Sequence, residues 1–139
     1  MRVDPDSRSR NVVHGRIKDG VLTTDAFDMS LVADPTLMPN FTFRNAKLRF
    51  KLKDDGNIEG FLGGYQPWQP IYWTFAQGGW IIEHAQGIDM PGLYNALKHM
   101  ADANPDPKTG ENTDISSTYW IGAVPAIIRY PQAAKTAQK

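Results

Sequence analysis

The segment from Lys47 to Lys53 alternates strictly between basic and apolar residues, and no other feature constrains the fold of this chain as strongly. Its apolar residues, Leu48, Phe50 and Leu52, fall on one side of an extended backbone, and its basic residues fall on the other. This pattern predicts a β-strand with one buried and one solvated face. An Asp-Asp-Gly-Asn turn and a second apolar run follow, so a β-hairpin is predicted between Phe41 and Leu62.

The chain before this hairpin also has the pattern of short strands joined by tight turns. Asp19-Gly20 separates two β-rich runs, so a first hairpin is predicted over residues 11–24, with glycine where the turn needs a positive φ. Apolar residues at every second position predict a third strand within residues 26–33. A proline-containing break at residues 34–40 ends this part of the pattern.

A helix is predicted over residues 89–101. Asp89 can cap its N-terminus, and Pro91 lies in its first turn, where a missing N–H costs nothing. Four apolar residues recur at helical spacing and predict the buried side, namely Leu93, Ala96, Leu97 and Met100.

The regions on either side of this helix have weaker patterns. Residues 65–85 are aromatic and are predicted to be helix-like or irregular, with a bend at residues 63–70 and a helix interrupted at Gly78-Gly79. Near the end of the chain, the sequence predicts two strand-like runs on either side of Pro125, or one run bent there.

Together these elements predict an α+β fold. An antiparallel β-sheet or sandwich, with strands over residues 11–62 and 118–130, carries one main helix near residues 89–101. A length of 139 residues fits a single domain, which is predicted over residues 11–130.

The two ends of the chain are polar. Residues 1–10 lack the apolar core of a secretory signal, but an exported chain also lacks one after processing, so the sequence leaves the compartment open. Neither residues 1–10 nor residues 131–139 show apolar periodicity, and both ends are predicted to be mobile.

The composition excludes several functional classes. The chain has no cysteine, which removes disulfides, thiolate-bound zinc, iron–sulfur clusters and cysteine nucleophiles. Its 15 Lys and Arg balance 15 Asp and Glu, and this neutral total argues against nucleic acid as a partner because phosphate binding requires excess positive charge. The basic run between Arg44 and Lys53 is interpreted as the solvated side of a strand, since no aromatic residue alternates on that side.

Residues 60–82 contain seven aromatic residues and no charged one. Their prolines and glycines suit a spanning helix poorly, so no membrane span is predicted. The rings either fill the core or form an exposed platform. We expect at least two exposed rings, because other apolar residues already suffice for the centre of a small domain. The candidate platform residues are Tyr65, Trp68, Tyr72, Trp73 and Trp80.

These features favour a non-catalytic binding or accessory domain that engages a protein partner, or a second copy of itself, in a larger assembly. The alternative is a carbohydrate-binding module whose Trp and Tyr rings stack on sugars. A small hydrolase or metal-dependent enzyme is the third hypothesis. It is less favoured because the three histidines lack metal-ligand spacing and the sequence has no nucleophile or phosphate-binding motif.

The polar loop at residues 102–114 has oxygen-bearing side chains at alternate positions. Asp102, Asn104 and Asp106 have the spacing with which oxygen ligands begin to encircle calcium, so they are the candidate metal ligands. Pro107 stands where an EF-hand loop requires glycine, which excludes that motif. The competing interpretation is that these residues simply form turns.

Overall fold

A computed structural model describes residues 11–31 and 41–127, with the backbone alone at residues 78–82 and 85–86. The predictions for residues 1–10, 34–40 and 131–139 therefore lie outside the described residues. The described elements are the strands β1 (Gly15–Lys18), β2 (Val21–Thr24), β3 (Phe27–Leu31), β4 (Phe41–Leu52), β5 (Ile58–Pro67), β6 (Ala103–Pro105) and β7 (Asn112–Ala123), and the helices α1 (Trp68–Gln86) and α2 (Met90–Met100).

All strand pairs are antiparallel, in the order β1-β2-β4-β5-β7-β6, with β3 paired to β4 outside this path. The sheet curls into a half-barrel, and the two helices pack on each other and on β7. The predicted α+β class with an antiparallel sheet is thus confirmed in outline. The sheet carries two helices: α2 is the predicted main helix, and α1 lies in the segment over residues 65–85 that was predicted to be helix-like or irregular.

Both predicted hairpins are present. Asp19 and Gly20 have φ angles of 51° and 73°, the paired positive values of a type I′ turn, whose twist matches the strands it joins. At the β4–β5 turn, Gly56 has a φ of 81°, and the amide of Lys53 donates to the carbonyl of Asn57 over 2.9 Å.

The alternation along β4 is confirmed. Phe50 is buried and Leu48 is half-buried, whereas Lys47, Arg49 and Lys51 are exposed. Leu52 is more exposed than predicted, at 37%, because it lies at the end of the strand beside the turn.

A register shift between Arg44 and Lys47 divides β4 into two halves. Asn45 adopts a positive φ of 52° at this bulge, and its amide donates to the carboxylate of Asp28 on β3 over 2.9 Å. The bulge bends β4, so its first half pairs with β3 and its second half with β2.

The predicted bend at residues 63–70 is wrong, because β5 continues to Pro67 and α1 begins at the next residue. Pro70 lies in the first turn of α1, where its missing N–H leaves no hydrogen bond broken. The predicted interruption at Gly78-Gly79 is also absent, since α1 passes through both glycines. Glycine costs about 1 kcal/mol per position in a helix, and packing of α1 on α2 offsets this cost.

The helix predicted over residues 89–101 is confirmed as α2. The carboxylate of Asp89 accepts a hydrogen bond from the amide of Gly92 over 3.1 Å, as expected of an N-cap. The buried side is narrower than predicted: Leu97 is buried and Leu93 half-buried, but Ala96 is exposed and Met100 is 58% exposed.

The last strand, β7, begins before the predicted region of residues 118–130 and ends within it. β7 begins at Asn112, inside the predicted loop, where it pairs with the short strand β6. It ends at Ala123, and residues 124–127 form no strand. Residues 128–130 of the predicted second run lie outside the described residues.

Two clusters of buried apolar side chains lie on one side of the sheet. The first contains Met29, Phe43, Ala46 and Leu62, enclosed by the curl of β3, β4 and β5. The second joins the helices to β7 and contains Trp68, Leu97 and Ile115. Neither helix, over its described residues, is long and apolar enough to cross a membrane.

Candidate ligand-binding face

The strand register brings aromatic and basic side chains together on one face of the sheet. Directly opposed residues of an antiparallel pair project to the same side, so the register identifies which residues share a face. One row crosses five strands and comprises Arg16, Thr23, Arg49, Phe61 and Trp120.

Neighbouring rows extend this face. In one row, Val21 on β2 is opposite Lys18 on β1 and Lys51 on β4. Another contains Lys47, and the row beyond the bulge contains Tyr65. We call this surface the aromatic–basic face and define it by eight residues: Arg16, Lys18, Lys47, Arg49, Lys51, Phe61, Tyr65 and Trp120.

Both core clusters lie on the opposite side of the sheet. Leu62 and Ile115 project to that side, and the helices pack against Ile115. Within residues 11–31 and 41–127, all five Arg and Lys residues of the aromatic–basic face are exposed, and Tyr65 is half-buried. Phe61 is 50% exposed and Trp120 is 65% exposed, so two large rings face solvent side by side.

Trp120 leans along β7 instead of standing out from the sheet. A Cβ atom placed on Gly122 would lie 2.9 Å from Cη2 and 3.2 Å from Cζ3 of the indole. The ring therefore occupies the space that a side chain at position 122 would need. Because Gly122 is two residues along the strand on the same face, its missing side chain lets the indole lie low over the sheet.

The positive charge of this face is not neutralised within the described part of the chain. Glu59 projects to the same side, but it forms an ion pair with Lys53, and the hydrogen bond between them raises the pKa of Lys53. Asp114 projects to this side too, and it is paired with Arg44. The five Arg and Lys residues of the face form no ion pair with any described residue.

Two open depressions follow this surface. One of about 360 Å³ is lined by Lys47, Arg49, Phe61 and Tyr65 among others. The other, of about 450 Å³, is lined by residues that include Arg49, Lys51, Phe61 and Trp120. Arg49 and Phe61 line both, so the two depressions adjoin and form one continuous surface for an extended ligand.

The five predicted platform residues do not form one surface. Trp68 is 5% exposed and packs against Leu97 and Ile115, so it belongs to the core and not to an exposed platform. Tyr72 is half-buried beside it, whereas Trp73 on α1 is 61% exposed.

Tyr65 alone among the predicted residues lies on the aromatic–basic face, and the side chain of Trp80 lies outside the described residues. Phe61 and Trp120 were not predicted to share a face. The alternation of Thr118, Trp120 and Gly122 with apolar neighbours was the signal that could have placed Trp120 on the solvated side.

A buried carboxylate lies at the far end of the same face. Asp114 is fully buried and accepts hydrogen bonds from Arg44 at 2.9 and 3.2 Å, from the amide of Asn104 at 2.7 Å and from the hydroxyl of Thr113 at 2.9 Å. With both oxygens occupied, this carboxylate fixes β4, β6 and β7 to one another. These hydrogen bonds are typical of a carboxylate with a structural role.

The three predicted calcium ligands have separate partners. A carboxylate oxygen of Asp102 accepts from the amide of Ser116 over 2.8 Å, and this bond lowers the pKa of Asp102. The amide of Asn104 donates to Asp114, and Asp106 accepts from the amide of Lys108 over 2.7 Å. No group of three or more His, Asp or Glu residues suited to a metal ion occurs among the described residues. The calcium site stays a prediction.

Comparison with protein families, with curated proteins and with solved structures finds no match to this chain.

Proposed function

We propose that this chain is a non-catalytic binding domain that holds a polyanionic ligand on its aromatic–basic face. One observation carries the proposal: by register, Phe61 and Trp120 share one face of the sheet with five exposed cations that form no ion pair within the described residues. Exposed rings beside arginine are typical of interaction surfaces, and contiguous exposed apolar area marks a binding site.

The proposed binding surface differs from the platform predicted from the sequence. Of the aromatic segment over residues 60–82, Phe61 and Tyr65 contribute to the face, whereas Trp68 belongs to the core. A protein partner is compatible with the proposal only if it presents an acidic segment, because the cations determine the charge of the ligand.

The charges and the rings make different contributions to binding. Exposed charges attract an anion by about 1 kcal/mol per contact in water, and salt weakens this attraction. Contacts with the rings bury apolar area and depend little on salt. Binding therefore weakens as the salt concentration rises but is not reduced to zero.

Titration of the chain with dextran sulfate and with poly-L-glutamate tests the proposal. Binding is followed by tryptophan fluorescence at low and at physiological salt. We expect both polyanions to bind at low salt. The double variant Arg49→Gln, Lys51→Gln should bind roughly 10- to 30-fold more weakly, because two contacts of about 1 kcal/mol are lost.

The matched control is Lys108→Gln, which removes one exposed positive charge from the turn after β6. It should leave polyanion binding unchanged within about twofold. The proposal fails if neither polyanion binds at low salt, or if the double variant and the control bind equally well.

The low position of Trp120 over Gly122 also favours the stacking of a neutral sugar ring, which is the second candidate. A neutral cello-oligosaccharide would then bind with little dependence on salt, and Trp120→Ala would abolish its binding while Arg49→Gln would not. Binding of that pattern, without polyanion binding, would replace the first candidate by the second.

A further inference from the structure

We infer that the polyanion is a single-stranded nucleic acid, an inference that rests on the proposed function and specifies its ligand. The aromatic–basic face offers two kinds of contact next to each other. Of the polyanions considered, a single nucleic-acid strand is the one whose repeating unit uses both. Each nucleotide carries one negative charge on its backbone and one flat aromatic base.

The cations of β4 form a line. Lys47, Arg49 and Lys51 occupy successive same-side positions, which are about 7 Å apart along a strand. Arg16 and Lys18 add a second pair of same-side cations on β1. This arrangement can follow a backbone that carries a regularly repeated negative charge.

The rings lie beside that line. Phe61 on β5 is opposite Arg49 on β4, and Trp120 on β7 is opposite Phe61. The two strands that carry rings therefore follow directly after the strand that carries the charges. A nucleic-acid strand that runs along β4 would have its phosphates on β4 and its bases over β5 and β7. Stacking of a base on an aromatic side chain is tolerant of sequence, because every base has a π-face.

Other polyanions match this surface less closely. An acidic peptide supplies charge without a ring in each unit, and a sulfated polysaccharide can place sugar rings on Trp120 but has no aromatic π-face to stack on Phe61 and Trp120. A duplex supplies charge too, but its bases are stacked inside the helix and cannot lie on exposed rings. The neutral total charge of the chain does not oppose this assignment, because most of the described Lys and Arg residues without an ion pair lie on one face.

The first experiment measures affinities by fluorescence anisotropy for a labelled oligothymidylate and an oligouridylate of 12 nucleotides, a length within the roughly 4–16 nucleotides bound by single-strand-binding folds. A hairpin duplex serves as a second labelled probe, and unlabelled dextran sulfate competes at equal charge. We expect the single strands to bind at least tenfold more tightly than the duplex or dextran sulfate.

Variants separate stacking from charge. Trp120→Ala should weaken oligothymidylate binding roughly 5- to 150-fold, the range for loss of one stacked base, without changing the salt dependence. Arg49→Ala should lower the slope of log K against log salt by about 0.7, the value for one phosphate contact on a single strand. Trp73→Ala, which removes an equally exposed Trp from α1, should have no effect on either quantity.

A further variant keeps every ring and every charge. Gly122→Ala places a methyl group 2.9 Å from the Trp120 indole and so forces the ring to lift from the sheet. Weaker oligothymidylate binding with unchanged dextran sulfate binding would support stacking on the ring in its low position.

The outcomes distinguish this inference from the proposed function. If oligonucleotides, duplex and dextran sulfate bind equally well, and Trp120→Ala has no effect, the inference is wrong and the polyanion-binding function stands. If poly-L-glutamate binds more tightly than the oligonucleotides, the ligand is an acidic protein segment. If no polyanion binds, both the inference and the proposed function fail.

Discussion

The replacement of Gly60 by alanine tests a close approach between the backbones of β4 and β5. Gly60 on β5 is opposite Phe50 on β4. A Cβ atom at this position would lie 1.9 Å from the carbonyl oxygen of Arg49 and 2.8 Å from the Cα atom of Phe50. Both are backbone atoms, so the methyl group cannot be accommodated by a change of rotamer. The two strands must separate at this point.

The expected loss of stability has two parts, the overpacking by the new methyl group and the hydrogen bonds lost as β4 and β5 separate. Overpacking a core with an extra methyl group costs about 1–3 kcal/mol when side chains can adjust. Here the ladder between β4 and β5 must open, and each backbone hydrogen bond lost costs about 1 kcal/mol in addition. We therefore expect Gly60→Ala to lower the free energy of unfolding by about 3–5 kcal/mol, a large part of the roughly 5–15 kcal/mol that stabilises a domain.

Gly63→Ala is the matched control on the same strand. Its Cβ atom would lie 3.6 Å from the hydroxyl of Thr118 and 3.9 Å from the carbonyl oxygen of Ser117, which is ordinary van der Waals contact. Because alanine restricts the unfolded chain, this variant should be unchanged or more stable by about 0.4–1 kcal/mol.

Urea denaturation followed by far-UV circular dichroism measures both variants. The midpoint should fall sharply for Gly60→Ala and stay level or rise for Gly63→Ala, with similar m-values. Equal midpoints for the two variants would refute the register of β4 and β5. That result would also remove the basis for placing Arg49 beside Phe61.

Two further predictions concern the two sides of β4 and its far end. Phe50→Ala should cost about 3–5 kcal/mol and Lys51→Ala at most about 0.5 kcal/mol, because only Phe50 is buried, and similar costs in a urea titration would contradict the alternation. Arg44→Ala should cost about 2–3 kcal/mol, because fully buried Asp114 would lose its cation while keeping its bonds from Asn104 and Thr113. A double-mutant cycle with Asp114→Asn should show a coupling of at least about 1 kcal/mol, and additive effects would show that the ion pair is weak.

The parts of the fold that could be predicted from the sequence are those whose signals are local. The Asp19-Gly20 turn, the alternation along β4 and the Asp89 cap each depend on atoms within a few residues of one another. A turn geometry or a cap bond follows directly from the residue types that can adopt it.

The junction of β5 and α1 could not be predicted in the same way. The residues Gly63 and Gly64, with Pro67 and Pro70 after them, are typical of a bend when they are considered alone. In the structure, pairing with β7 keeps β5 extended to Pro67, and β7 lies about fifty residues further along the chain. A prediction from neighbouring residues has no access to that partner.

The burial of Trp68 could not be predicted for the same reason. Its exposure depends on whether α2 and β7 lie over it, and both elements are distant in sequence. Trp73 lies in the same aromatic segment, but its side chain is exposed on α1. Aromatic density in a segment therefore predicts that rings are present, but tertiary packing decides which of them reach solvent.

The sequence disfavours nucleic acid as a partner partly because β4, considered alone, has no aromatic residue that alternates on its basic side. A sheet face, however, is assembled from several strands, and hydrogen bonding brings residues from distant segments to within about 5 Å of one another. Here β4 supplies Arg49, β5 supplies Phe61 and β7 supplies Trp120. A binding surface that needs both charge and stacking can thus divide them among strands, and only the register between those strands brings the two together.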